Sequence, residues 1–218
     1  MEQLTTLQQL AVFILPVLFA ITLHEAAHGW VARKLGDQTA YLQGRITLNP
    51  IKHIDPIGTL VVPLATFLLG GILFGWAKPV PVDPRNLHNP RRDMALVAIA
   101  GPGANLAMAL LWAVILRIGF ELLPHSAWMG MPLVYMGMAG VLINAILMLL
   151  NLLPILPLDG GRILNALLPP RLAVQYTKLE PWGLVILLVL LFTGLLWAIL
   201  GPAIELTSEL AYSLVGMR

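Results

Sequence analysis

Three ionisable side chains, His24, Glu25 and His28, fall within five residues of the apolar run AVFILPVLFAITLHEAAHGWVARKLG. An ionisable group at the centre of a membrane helix costs about 2.5–3.5 kcal/mol on insertion scales, so this run can be a membrane helix only if something compensates the cluster. Histidines four residues apart on a helix project from one face, one turn apart. Both imidazoles can then reach a single Zn²⁺ at about 2.1 Å, with Glu25 beside a water on that ion. The pattern His-Glu-Ala-Ala-His therefore describes a hydrolytic zinc centre carried inside an apolar helix.

The remainder of the chain suits such a helix. Of 218 residues, 58% are hydrophobic and only 11% charged, with a mean hydropathy of +0.84, which excludes an ordinary soluble domain and predicts a polytopic membrane protein in contact with a lipid bilayer. The formal charge of +2 and the scattered basic residues give nucleic-acid binding no support. Cysteine is absent, so disulfides, thiol nucleophiles and cysteine-ligated zinc are excluded, and ligands must come from His, Asp and Glu. The opening MEQLTTLQQL lacks a basic start and runs directly into the motif. It reads as part of a retained first membrane helix.

Taken in order, the sequence predicts helix 1 over about residues 7–34, with Arg33-Lys34 at the membrane surface and the metal roughly two turns below it. TAYLQGRITLNP, residues 39–50, predicts a short β-hairpin. The apolar stretch 57–75 is interrupted by Pro63 and Gly70-Gly71; residues 93–119 and 131–153 predict two further membrane helices. Helix 1 and helix 131–153 must run in the same direction if their C-terminal ends are to share a site, which makes 57–75 a re-entrant segment. That arrangement gathers Arg33, Lys34, Arg45, Lys52, Lys78, Arg85, Arg91, Arg92, Arg162, Arg171 and Lys178 on one side, as the positive-inside rule expects of a cytoplasmic face. A short helix at 160–168, a span at 181–200 and an interfacial segment at 203–215 complete the expected chain. The expectation is thus an all-α polytopic membrane protein with a core of three transmembrane helices, a re-entrant segment, a short β-hairpin and one or two C-terminal helices. It forms a single domain, 1–218, with its core at about 7–168 and the C-terminal helices at about 181–215.

Helix 131–153 ends in Asn151-Leu-Leu-Pro154-Ile-Leu-Pro157-Leu-Asp159-Gly160-Gly161-Arg162. The two prolines end regular hydrogen bonding and leave Asp159 on irregular backbone at membrane depth, with Gly160-Gly161 supplying torsions open to no other residue. Asp159 could cap the following helix or pair with Arg162. Two histidines need a third, anionic ligand to complete an open catalytic site, and Asp159 fits that need better than Glu121, Glu180, Glu205 or Glu209, which lie at helix ends or in the tail.

With these residues placed, the chain resembles the site-2 protease family of intramembrane zinc metalloproteases, in its compact form without a PDZ insertion or a nucleotide-sensing domain. The likeness rests on LHEAAHGW at 23–30, AGPGANL at 100–106 and NLLPILPLDGGR at 151–162, supported by GRITLNPIKHIDPIGTL and GWAKPVPV. The resemblance implies one Zn²⁺ held by His24, His28 and Asp159, with Glu25 as the catalytic glutamate. It further implies that Asn151 and Pro154 help position the substrate and that Asn105 lies near the site, although AGPGAN is equally a small-residue surface for helix packing, with Asn105 and Asn144 as interhelical glue. The implied reaction is hydrolysis of peptide bonds in or near the membrane helix of a single-span substrate protein by a zinc-activated water, with Glu25 as general base. The implied location is a prokaryotic cytoplasmic membrane, the site toward its cytoplasmic half. Competing readings are a metal or ion transporter, which would spread ionisable groups over several depths, and a silent zinc-stabilised scaffold, which would need a fourth ligand such as His53.

Overall fold

The computed structural model describes residues 6–70 and 75–217. Its helices are α1 (Thr6–Lys34), α2 (Thr39–Leu42), α3 (Val62–Gly70), α4 (Pro90–Leu122), α5 (Ala127–Asn151), α6 (Asp159–Leu167), α7 (Pro170–Thr177), α8 (Gly183–Phe192) and α9 (Leu195–Leu214), with short 3₁₀ or π turns between several of them. Helices α1, α4 and α5 pack on one another in all three pairings, and α6 lies against α4. The C-terminal ends of α1 and α5 and the N-terminal part of α4 thereby meet at one end of the bundle.

Burial follows the sequence pattern of each long helix. On α4, Met108, Trp112 and Ala113 face inward against Val141 of α5 and Ala211 of α9. On its other face Leu106, Leu110, Leu111, Val114 and Ile118 stand exposed, a surface costly in water and natural against acyl chains. Among the described residues, four helical stretches are long and apolar enough to cross a membrane: Val12–Lys34, Pro90–Leu122, Ala127–Asn151 and Pro170–Phe192. At the end of the first, the Arg33 guanidinium lies 3.6 Å over the Tyr41 ring and Lys34 lies 5.5 Å from that of Trp30, the cation and aromatic pairing of a membrane–water boundary.

The expected β-hairpin at 39–50 is absent, and no strand occurs among the described residues. The buried Asp37 carboxylate accepts from the Thr39 backbone N–H at 3.0 Å and the Thr39 hydroxyl at 2.5 Å, which starts a helical turn where alternation suggested a strand. Ala40 and Ile46 then pack beside Gly29 of α1, and Arg45 N–H closes back on Ala40 C=O, so the segment satisfies its backbone locally and needs no strand partner. Asp37 also accepts from Asp83 N–H at 2.7 Å and Asn86 Nδ2 at 3.0 Å, which fastens residues 83–86 to the end of α1.

The expected three-helix core with a plain span at 181–200 is also revised. Apolar sequence there is broken after Thr193 by Gly194, whose φ of +76° only glycine adopts without strain, and α8 folds back on α9. Leu187 and Leu191 of α8 pack with Leu196, Leu200 and Ile204 of α9 over Ala145 of α5. Residues 203–215 therefore belong to a helix of the bundle, where an interfacial segment was expected. Stretch 57–75 begins as a π turn at Pro56–Val61 and continues as α3, and the turn needed for re-entry, at 71–74, lies outside the described residues. Its two ends are adjacent: Trp76 N–H donates to Gly58 C=O at 3.0 Å, and Lys78 N–H to His53 C=O at 2.9 Å.

Candidate metal centre

One turn of α1 carries His24 and His28, and their rings meet edge to face with centroids 4.6 Å apart. Both are buried, as is Asp159 at the first residue of α6. Asp159 Oδ2 lies 3.2 Å from His24 Nε2 and 3.3 Å from His28 Nε2, and the two nitrogens are 3.0 Å apart. Asp159 neither caps α6 nor pairs with Arg162 in any ion pair among the described residues.

The outer ring nitrogens decide what this triangle can hold. His28 Nδ1 lies 2.7 Å from the carbonyl of Val97, which only accepts, so Nδ1 carries the proton. His24 Nδ1 lies 2.6 Å from Asn105 Oδ1, and the orientation of that amide is forced. Asn105 Nδ2 donates to Ala20 C=O at 3.2 Å and to Asn144 Oδ1 at 2.9 Å, while Asn144 Nδ2 donates to Gly140 C=O at 2.8 Å. His24 Nδ1 must therefore donate as well. Two neutral imidazoles so arranged present lone pairs at both Nε2 atoms, toward each other and toward a carboxylate oxygen that has no hydrogen-bond donor. A single proton on one Nε2 reaches at most two contacts of this triangle and leaves the third lone-pair contact unrelieved. One divalent cation relieves all three, and ligands about 2.1 Å from a tetrahedral zinc stand roughly 3.4 Å apart, close to the spacing found. The donor set therefore fits a zinc ion, with the outer hydrogen bonds fixing each ring as such sites require.

Packing reserves the space. A Cβ on Gly101 of α4 would lie 2.4 Å from His28 Nε2 and 2.5 Å from His24 Cε1, so the AGPGAN segment is small because the imidazoles pass across it. Gly160 and Gly161 serve similarly, with no positive φ: a Cβ on either would fall 2.2 to 2.5 Å from backbone atoms of Leu152 and Leu156. Close approach, where unusual torsion was expected, is their role.

The other expected site residues divide. Glu25, half-buried on α1, accepts a hydrogen bond at Oε2 from the backbone N–H of Val80 at 2.7 Å. Asn105 is fully buried and touches His24. Asn151 Nδ2 donates to Leu147 C=O on its own helix, and the Pro154 carbonyl accepts from the Tyr176 hydroxyl; neither contact involves the triangle. His53 is buried, with Nε2 3.1 Å from Thr47 C=O, and is not among the three grouped ligands. Val80 was missed. The signal was present, since in Pro79-Val80-Pro81 only Val80 carries an N–H.

Comparison with known proteins agrees with this chemistry. The model of peptidase family M50 matches residues 124–194. YwhC of Bacillus subtilis (strain 168), named as a candidate zinc metalloprotease, is 40% identical over 200 residues, covering 88% of this chain and 85% of that protein. Rip2 of Mycolicibacterium smegmatis, named likewise, is 31% identical over 195 residues, covering 88% of this chain and 72% of that protein. Rip2 of Mycobacterium tuberculosis (strain H37Rv) is 32% identical over 191 residues, covering 85% and 70%. No solved structure matches the chain. Sequence identity at this level over most of both chains, joined to a buried two-histidine, one-carboxylate triangle in an integral membrane fold, places the chain in peptidase family M50, the site-2 protease family of zinc metalloproteases.

Proposed function

We propose that the protein is an intramembrane endopeptidase that hydrolyses peptide bonds in or near the membrane helix of a single-span substrate, with Glu25 as general base. The observation that carries this reading is the convergence of His24 and His28, which flank Glu25 on a helix fit to span a bilayer, with Asp159 at the start of α6. Zinc held by these three would act as a Lewis acid, polarising the scissile carbonyl and lowering the pKa of water to about 7. Glu25 takes the proton of the attacking water and returns it to the leaving amine, while the Val80 N–H holds its Oε2 and leaves Oε1 for that transfer. Asn105 and Val97 keep both imidazoles presenting Nε2 inward.

The site faces the cytoplasmic half of a prokaryotic membrane in this reading, supported by the positive-inside rule: with 57–75 re-entrant, eleven basic residues, Arg33 and Lys34 among them, fall on that side. The test is Glu25→Gln in the full chain, reconstituted with a single-span substrate. Bound zinc should remain, and turnover should fall by about 10²–10⁴-fold. Turnover at the original rate would remove Glu25 from the mechanism.

A further inference from the structure

Residues 78–80, outside any regular element, form a strap beside Glu25, with Val80 buried against Gly29 of α1. The Val80 N–H holds Glu25. The carbonyl of the same peptide unit, that of Pro79, accepts from Arg45 Nη2 at 3.3 Å, and the Lys78 carbonyl accepts from the same nitrogen at 2.9 Å. Arg45 is only 7% exposed, its Nε has no partner, and no carboxylate pairs with it among the described residues.

A buried guanidinium without a counterion is costly, and removing water from it is offset only where dipoles or charges are arranged around it. In a trans peptide C=O and N–H point in opposite directions, so the Pro79–Val80 unit has its oxygen toward the Arg45 cation and its hydrogen toward the Glu25 anion. One dipole thus links the two charges, and hydrogen bonds in such a chain strengthen one another. The second anchor, Lys78 N–H on His53 C=O, keeps the strap from sliding.

We propose that Arg45 is a positioning residue for catalysis: through the Lys78–Val80 strap it fixes the carboxylate of Glu25, which it does not itself touch. This rests on Glu25 as the proton acceptor. Arg45 thereby sets the turnover step and leaves zinc binding to His24, His28 and Asp159. A mere structural brace would instead lower folded yield and every activity parameter together.

The experiment compares wild type, Arg45→Ala and Arg45→Lys as full-length protein in proteoliposomes with a single-span substrate. It reads zinc content, kcat and KM, and hydrogen exchange of residues 76–82 by mass spectrometry. Arg45→Ala should keep zinc, speed exchange in that segment and lower kcat by about 10- to 100-fold with KM within about twofold of wild type. Arg45→Lys, which keeps the charge and one carbonyl contact, should fall between. Unchanged exchange, unchanged kcat, or loss of zinc in parallel with turnover overturns the proposal, as does failure of both variants to fold, which assigns Arg45 to structure alone. Full turnover in Glu25→Gln would instead sink the general-base reading while leaving the exchange result standing.

Discussion

His24 Nδ1 donates to Asn105 Oδ1 at 2.6 Å, and the Asn105 amide that accepts this bond is itself oriented by Ala20 and Asn144. The ring therefore reaches the ligand triangle already in the tautomer that zinc requires. Replacing Asn105 by Ala frees the ring and strands buried partners, so zinc affinity should fall by about 10- to 100-fold. Competition with a calibrated chelator checks this. Affinity equal to wild type would reduce Asn105 to packing.

Gly101 and Gly103 make a controlled pair on one helix. Gly101→Ala puts a methyl group within 2.4 Å of His28 Nε2, whereas around Gly103 nothing lies within 4 Å. Gly101→Ala should lose zinc and turnover. Gly103→Ala should keep both and gain about 0.5–1 kcal/mol of helix stability. Zinc stoichiometry with thermal unfolding in detergent separates them, and equal behaviour of the two would show that the imidazoles do not cross Gly101.

Removing the metal should destabilise the fold. Three lone pairs are buried together, so a bound cation stabilises the folded state by mass action, about 2.7 kcal/mol when free zinc is 100 times its Kd. Chelation should lower the unfolding midpoint, and zinc alone should restore it. Asp159→Asn should blunt this response, since the anionic corner of the triangle is gone.

Asp37 supplies a pH dependence outside the membrane. Burial by itself would raise its pKa, but the hydrogen bonds from Thr39, Asn86 and Asp83 outweigh burial and hold the carboxyl below its usual range. Because the folded value is depressed, the stabilisation is complete above the unfolded value of about 3.9 and is lost as pH falls through the folded one. Wild type should therefore lose more stability than Asp37→Asn between neutral pH and about pH 3. Parallel curves would mean that the carboxylate does not hold the loop 83–86.

The site was more legible than the fold around it because metal chemistry restricts residue type. Imidazoles four apart and an acid after a proline-broken helix are visible as letters. What surrounds them depends on contacts that letters do not carry. TAYLQGRITLNP has the composition of a strand, yet the donors around Asp37 and the groove beside Gly29 fold it as a turn. Residues 181–200 have the hydropathy of one span, yet a single glycine torsion at 194 divides them. Asn105 could be read as packing or as function, and its geometry joins the two, because its contacts bind three helices and one ligand together.

His28 leaves the ribosome with the first helix, whereas Asp159 follows only after α4 and α5 have been made. A nascent chain arrested before that point has two of the three ligands and lacks the carboxylate that completes the set. The order of the ligands along the chain thus ties completion of the metal site to synthesis of the helices that enclose it.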